Sequence, residues 1–266
     1  MGSILDVRGG GDVPGVPDVD RALAAQLAEL DDFLESLTSA DWDRPSPCEG
    51  WSVADVILHL AQTNEMAIAS LEGRYDEMVA ALRSGQAVRD VDEGAAVAVE
   101  NERGQPHEAV LARWRASAEA MRDGLAAADP HERVTWVAGQ LSIRTLATTR
   151  LAESWIHTGD VMRALDVPPV PTARLWHIAR LAWRTLPYAF ARAGRELRGP
   201  VSFELAAPGG GDDWSFVPDA EAPTHISGPA EELCLVAARR VQPSATGLTG
   251  TGPDADAVLD LVRTYA

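Results

Sequence analysis

The sequence predicts a mainly α protein, an antiparallel helical bundle of four long helices followed by a small C-terminal α+β domain. Three observations carry this. The first two thirds of the chain repeat apolar residues at spacings of three and four, the mark of amphipathic helices. Polar joints rich in proline and glycine separate those stretches, as in a bundle. After Gly199 the pattern changes to an alternation of apolar and polar residues, the period of a strand.

Each element follows from its residues. Asp20 to Leu37 carries Leu23, Leu27, Leu30, Leu34 and Leu37 on one face. Asp41 to Gly50 reads as a loop, broken by Pro45, Pro47 and Gly50. Ser52 followed by Asp55 gives a start resembling a capping box, and Val53, Val56, Ile57, Leu60, Ala67 and Leu71 supply the stripe of the second helix. A short helix over Tyr75 to Arg83 and a polar connection to Gly104 follow. Pro106 to Ala128 forms the third long helix, and Leu141 or Ser142 opens a fourth that ends near Leu165, before Val167-Pro168-Pro169. Thr172 to Ala193 reads as a fifth helix, capped by Thr172 and kinked at Pro187. Beyond it, Val201–Leu205 and Asp213–Val217 read as a hairpin about Pro208–Gly211, Thr224–Ile226 as a third strand, Pro229–Val241 as a helix capped by Ser227, and Ala255–Tyr265 as a last helix. The domains expected are a flexible leader at 1–17, the bundle at 18–167, a connecting helix at 168–198 and the α+β domain at 199–266.

Composition narrows the function. The chain has 266 residues and a formal net charge of −17, and each of its 23 basic residues is an arginine. Without lysine there is no Schiff-base chemistry and no P-loop, and Gly209–Gly211 lacks the spacing of one. So negative a chain repels nucleic acid and anionic membrane surfaces. No run of about 18 apolar residues suggests a membrane span, and the leader lacks the plan of a signal peptide. A cytoplasmic protein is expected, monomeric or homodimeric, acting on a small molecule. Its two cysteines, Cys48 and Cys234, are expected as thiols, Cys234 within a core stripe. Without lysine, a substrate anion must be held by a metal or by arginine, with Arg150, Arg239 and Arg240 the residues to test.

One constellation carries chemistry. In Glu153-Ser-Trp-Ile-His157 a carboxylate and an imidazole stand one helical turn apart, a pairing suited to a first-row metal such as zinc. His59, mid-helix on the second helix, is the natural third ligand, and Asp160 is placed to orient the His157 imidazole. Against this, periodicity alone sets Thr149, Arg150, Glu153, His157 and Asp160 opposite the stripe of Leu151, Trp155, Met162 and Leu165, on a solvated face. On the metal reading, the site lies in an open cleft at the side or mouth of the bundle. Cys48 is within conceivable reach of it, though an idle thiol is expected; His177 and His225 read as structural or surface residues. Trp176 and Trp183 read as packing residues or, alternatively, as the lining of a ligand pocket.

Two helices and the C-terminal module resemble a known family. Trp51-Ser-Val-Ala-Asp-Val-Ile-Leu-His59-Leu-Ala resembles the second-helix signature of the DinB-like metal-binding four-helix bundles. Glu153-Ser-Trp-Ile-His157-Thr-Gly-Asp160-Val-Met-Arg-Ala-Leu165 resembles the fourth-helix signature of the actinobacterial mycothiol-dependent maleylpyruvate isomerase family, and Ile226 to Arg240 is similar to a helix of that family's C-terminal module. The resemblance implies metal ligation by His59, Glu153 and His157 with an open position. It also implies zinc and mycothiol as cofactors, and a substrate carboxylate held by Arg239 or Arg240. It points to an isomerase or thiol transferase. The alternatives are a thiol-independent metal enzyme (isomerase, cyclase or hydrolase) and a non-catalytic ligand-binding protein.

Overall fold

The structure is a computed structural model and describes residues 15–137 and 139–264. The expected leader falls largely on residues outside that range, as does Tyr265 at the end of the expected last helix. The chain forms two compact units: Val19–Pro169, and the segment from Val170 onward together with the residues up to Asp18.

The first unit is a helical bundle. Its elements in order are α1 (Val19–Glu35), α2 (Ser39–Trp42), α3 (Val53–Leu71), α4 (Tyr75–Leu82), α5 (Val91–Glu102), α6 (His107–Ala127), the hairpin β1 (Arg133–Trp136) and β2 (Gly139–Ser142), and α7 (Ile143–Ala164). The leucine stripe of α1 is buried at Leu23, Leu27, Leu30 and Leu34, as its spacing requires. Gln26 on the same helix donates to Thr158 Oγ1 of α7 at 3.1 Å. Helices α3 and α7 run antiparallel, for His59 meets Glu153 while Thr63, one turn on, meets Arg150, one turn back. By contrast α3 and α6 run in the same direction: Asn64 pairs with Ser117, and Leu71 packs where a Cβ on Gly124 would stand. The passage through α4 and α5 carries the chain back between them, a long crossover of the kind bundles tolerate.

Local chemistry fixes both site-bearing helices. Ser52 Oγ accepts from the Asp55 amide, and the Asp55 carboxylate accepts in return from the Ser52 amide at 2.9 Å, a full capping box at the start of α3. Arg103, from the end of α5, closes on the same Asp55 carboxylate. At the start of α7, Ser142 accepts from Thr145 N. Its far end turns through Asp166 at φ 61°, with Val167 N bonded back to Met162 O at 2.9 Å, before the two prolines prevent continuation. Ser52→Ala is expected to lower the unfolding free energy by about 1 kcal/mol, read by denaturant unfolding monitored by helical circular dichroism.

The structure departs from the expectations at named places. The polar connection before Gly104 contains α5, which buries only Gly94, Ala98 and Val99 and leans on polar contacts, Gln62 donating to Ala98 O at 2.8 Å and Arg113 pairing with Glu102 at 2.8 Å. Arg133–Trp136, between the third and fourth long helices, is a strand, because Val134 and Trp136 turn into the core while their neighbours face out. The expected loop after Asp41 contains the end of the short α2.

In the second unit, the expected fifth helix is broken into α8 (Leu175–Arg184) and α9 (Leu186–Arg192), with Pro187 in the first turn of α9, where its missing N–H costs nothing. Thr172 precedes the start of α8 and does not cap it. A sheet follows from β3 (Val201–Ala206), β4 (Trp214–Phe216), β5 (Thr224–Pro229) and, after α10 (Ala230–Ala237), β6 (Thr249–Thr251), in the order β4-β3-β5-β6. The hairpin β3–β4 is antiparallel, β5 joins β3 in parallel, and β6 closes antiparallel on β5. Ser227 lies within β5 and bonds Thr249 across to β6 at 2.9 Å, so it does not cap α10. The turn into α11 (Ala255–Leu261) uses Gly252 at φ 98°, where a side chain would collide with the Pro223 carbonyl.

Candidate metal centre

The polar face of α7 is turned inward. His157 is 7% exposed, Asp160 0% and Arg150 2%, whereas Trp155 is only half-buried. This overturns the solvated-face reading from periodicity. The rule that apolar residues define the buried stripe fails when a helix buries polar residues that satisfy one another. The face packs against α3, whose own His59 is 6% exposed.

Three donors converge there. His59 Nε2 lies 2.9 Å from Glu153 Oε1, and His157 Nε2 lies 3.5 Å from the same oxygen. The three ligand atoms lie within 4.8 Å of one another, and the two imidazoles meet edge to face with centroids 4.9 Å apart. Trp51 covers His59, its ring centroid 5.0 Å away. Behind the triad, His157 Nδ1 lies 3.0 Å from Asp160 Oδ2, an arrangement that directs Nε2 toward the triad with Nδ1–H donated to the carboxylate. The structure thus brings the sequence-predicted ligands together and sets Asp160 behind one of them.

The donor set fits a divalent first-row ion. With bonds of about 2.0–2.1 Å, neighbouring ligand atoms of a tetrahedral zinc stand about 3.3 Å apart, a value the two measured separations straddle. A second group overlaps the first: Cys48 Sγ lies 3.3 Å from Asp160 Oδ2 and 3.9 Å from His157 Nδ1. Cys48, expected as an idle thiol though within conceivable reach of the site, is in contact with Asp160 and His157. No local signal could have revealed this contact, since 112 residues separate the thiol from Asp160. The groups compete for opposite nitrogens of one imidazole. Ligation through Nε2 keeps the Asp160 hydrogen bond and engages Glu153 and His59, so every donor is used; ligation through Nδ1 would break that bond.

Electrostatics fit the triad. Burial alone would discharge His157, but hydrogen bonding to Asp160 and Cys48 and the charge of Glu153 outweigh it and hold its pKa well above the ordinary histidine value. Burial likewise opposes ionisation of Glu153, yet hydrogen bonds from His157 and His59 keep its carboxyl well below the usual range. His59 goes the other way, burial lowering its pKa in spite of Glu153. Without metal, the site is a buried imidazolium–carboxylate pair beside a neutral imidazole.

The other expected residues belong to the second unit. Arg239, at the end of α10, adopts φ 59°, with Arg240 N bonded to Leu235 O at 2.9 Å, a left-handed helix terminus normally given to glycine. Arg239 Nη1 donates to Asp260 O at 2.7 Å and Arg240 Nη1 to Ala238 O at 3.0 Å. Trp176 and Trp183 lie against Phe216, with centroids 5.7 and 6.1 Å away. His177 Nε2 bonds Pro17 O at 2.8 Å, and His225 Nδ1 lies 2.5 Å from Ser202 Oγ. Cys234 is fully buried, which pushes its thiol pKa up. No helix among the described residues is long and apolar enough to cross a membrane.

Comparison with known proteins agrees with this architecture. The crystal structures of the mycothiol-dependent maleylpyruvate isomerase and of a mutant of it superpose with a TM-score of 0.57 at 16% identity, over 89% of this chain and 94% of that one, a likeness of fold. Uncharacterised proteins from two strains of Mycobacterium tuberculosis are 31% identical over 247 residues, 92% of this chain and 93% of theirs. The family described as mycothiol maleylpyruvate isomerase N-terminal domain matches residues 23–162, the span that holds His59, Glu153 and His157. The chain belongs to the mycothiol maleylpyruvate isomerase N-terminal domain family.

Proposed function

We propose that this protein is a metal-dependent enzyme that activates a low-molecular-weight thiol, mycothiol, for isomerisation or thiol transfer on a small electrophilic or carboxylate substrate. The observation that carries the reading is the convergence of His59, Glu153 and His157 from two helices, with Asp160 behind His157. Three protein ligands leave room for a reacting group, the plan of a catalytic site and not of a structural one. A divalent ion there, zinc by its ligand chemistry, supplies the Lewis acidity that makes a thiol or water nucleophilic near neutral pH.

The chain's own residues do the rest. Asp160 fixes the tautomer and direction of the His157 ring. Glu153 enters already ionised, so only His157 must give up a proton for all three ligands to be available. Burial of His59 and His157, with Trp51 over His59, keeps bulk water from competing for the ligands. In the second unit, Arg239 and Arg240 are the proposed holders of a substrate carboxylate. The resemblance of Ile226 to Arg240 to the family's C-terminal helix supports this reading.

Calorimetry with mycothiol, on zinc-loaded and on chelator-stripped protein, tests the reading, with maleylpyruvate as the first substrate assayed. Thiol binding and turnover are expected only with metal. Turnover that persists in chelator contradicts metal dependence, and turnover unchanged without mycothiol favours the thiol-independent alternative.

A further inference from the structure

Arg150 is a buried cation in search of an anion. It stands one turn before Glu153 on α7 and is 2% exposed. Its Nη2 donates to Thr63 Oγ1 at 2.8 Å and Asn64 Oδ1 at 3.3 Å, both neutral groups, and the guanidinium carbon lies 5.8 Å from the Trp136 ring centroid. Its Nε is buried without a hydrogen-bond partner among the described residues. None of the ion pairs among the described residues joins Arg150 to a carboxylate. An arginine buried this deeply is normally matched by a hydrogen-bonded carboxylate, because desolvating a guanidinium is costly otherwise.

Its position shows what it serves. Thr63 lies one turn beyond His59 on α3, and Arg150 lies one turn before Glu153 on α7. Two antiparallel helices therefore hold the guanidinium one turn along the bundle from the triad, about 5 Å by helix pitch. Its charge is felt there, for it is among the influences that depress His59, while Glu153 acts on Arg150 in return. Glu153 and Arg150 cancel, so a divalent ion in the triad leaves the buried site positive even after Asp160 is counted as an anion. The donors around it are buried, so an anion that enters with the reactants would offset that charge.

We propose that Arg150 is the fixed counter-charge of this site, the residue that makes it select an anionic group, a thiolate or a carboxylate, over a neutral group. It acts at a distance through its charge, as a positioning residue, held in place by Thr63, Asn64 and Trp136. The inference rests on the metal reading above and names the charge of the ligand that the site takes.

The test uses the full chain loaded with cobalt(II), whose visible spectrum reports ligand entry without any substrate. Azide serves as the anionic probe and imidazole as the neutral one, for the unaltered protein, Arg150→Gln and Arg150→Lys. Loss of one charge at this range in a partly desolvated site should weaken azide binding about tenfold in Arg150→Gln and leave imidazole binding within about twofold, while Arg150→Lys keeps azide within about threefold of the unaltered protein. Azide affinity unchanged in Arg150→Gln, or azide and imidazole weakened together, overturns the assignment. Should Arg150→Gln fail to fold, Arg150→Lys decides: retained azide binding supports the role of charge, and a fall of tenfold or more refutes it. Failure of the unaltered protein to take up cobalt is a different outcome, and it removes the metal reading itself together with this inference.

Discussion

His157→Ala should weaken divalent-metal binding more than about a hundredfold, with thiol-dependent turnover lost in parallel. The substitution removes a ligand atom 3.5 Å from Glu153 Oε1 and leaves the wholly buried Asp160 without its imidazole partner. His59→Ala and Glu153→Ala should act in the same direction, since each removes one donor from the same three-atom set. Asp160→Asn keeps all three donors and loses only the charge that orients and polarises His157, so its effect should fall between about tenfold and a hundredfold. Arg115→Ala, which breaks half-exposed pairs with Asp31 and Glu35 on the outer surface, should leave metal affinity unchanged. Competition against a chromophoric chelator measures all five variants on one scale. Equal metal affinity in His157→Ala and the unaltered chain would place the metal elsewhere.

The second large effect is on pH. In the metal-free protein His157 holds its proton well above the ordinary histidine pKa, and a metal can take Nε2 only when that nitrogen is free. Metal binding should therefore release about one proton, and affinity should fall about tenfold for each pH unit below the raised pKa. Asp160→Asn withdraws the largest single support of the imidazolium, so the onset of this fall should move to lower pH. Calorimetry in buffers of different ionisation enthalpy counts the proton directly, and an affinity that does not change between about pH 6 and 8 would contradict the assignment. The same shifts set the stability of the metal-free chain. The raised pKa of His157 contributes stability that is full below the unfolded value of 6.5 and is lost as pH rises through the folded pKa. The lowered pKa of Glu153 contributes stability that is present above its unfolded value of 4.5 and is lost as pH falls through the folded pKa. The lowered pKa of His59 costs stability as pH falls below its unfolded value of 6.5, so the site favours the metal-free fold most near that value.

Much of this was legible in the residues. The leucine spacing of α1, the Ser52–Asp55 start of α3 and the one-turn spacing of Glu153 and His157 are local patterns, and the fold follows them. Local pattern failed where stability comes from elsewhere. Helix α5 has little apolar stripe and is held by hydrogen bonds and ion pairs to residues on α3 and α6. The inward polar face of α7 reads as solvated because hydropathy cannot distinguish a carboxylate facing water from one facing an imidazole. Cys48 and Arg150 owe their partners to the crossing of distant segments, which no window of sequence contains. Besides Asp160, the acidic surplus includes two buried carboxylates. Asp55 caps α3, and Asp254 accepts from Arg198 N at 2.7 Å.

His59, Glu153 and His157 are proposed to hold one divalent ion together. X-ray absorption at the zinc edge of the zinc-loaded full chain, without added thiol, tests it most directly. A first shell of nitrogen and oxygen alone at about 2.0–2.1 Å is expected, with the outer scattering of two imidazoles. A sulfur scatterer at about 2.3 Å would instead place the metal on the Cys48 side of His157, and a chain that retains no zinc would contradict the claim altogether.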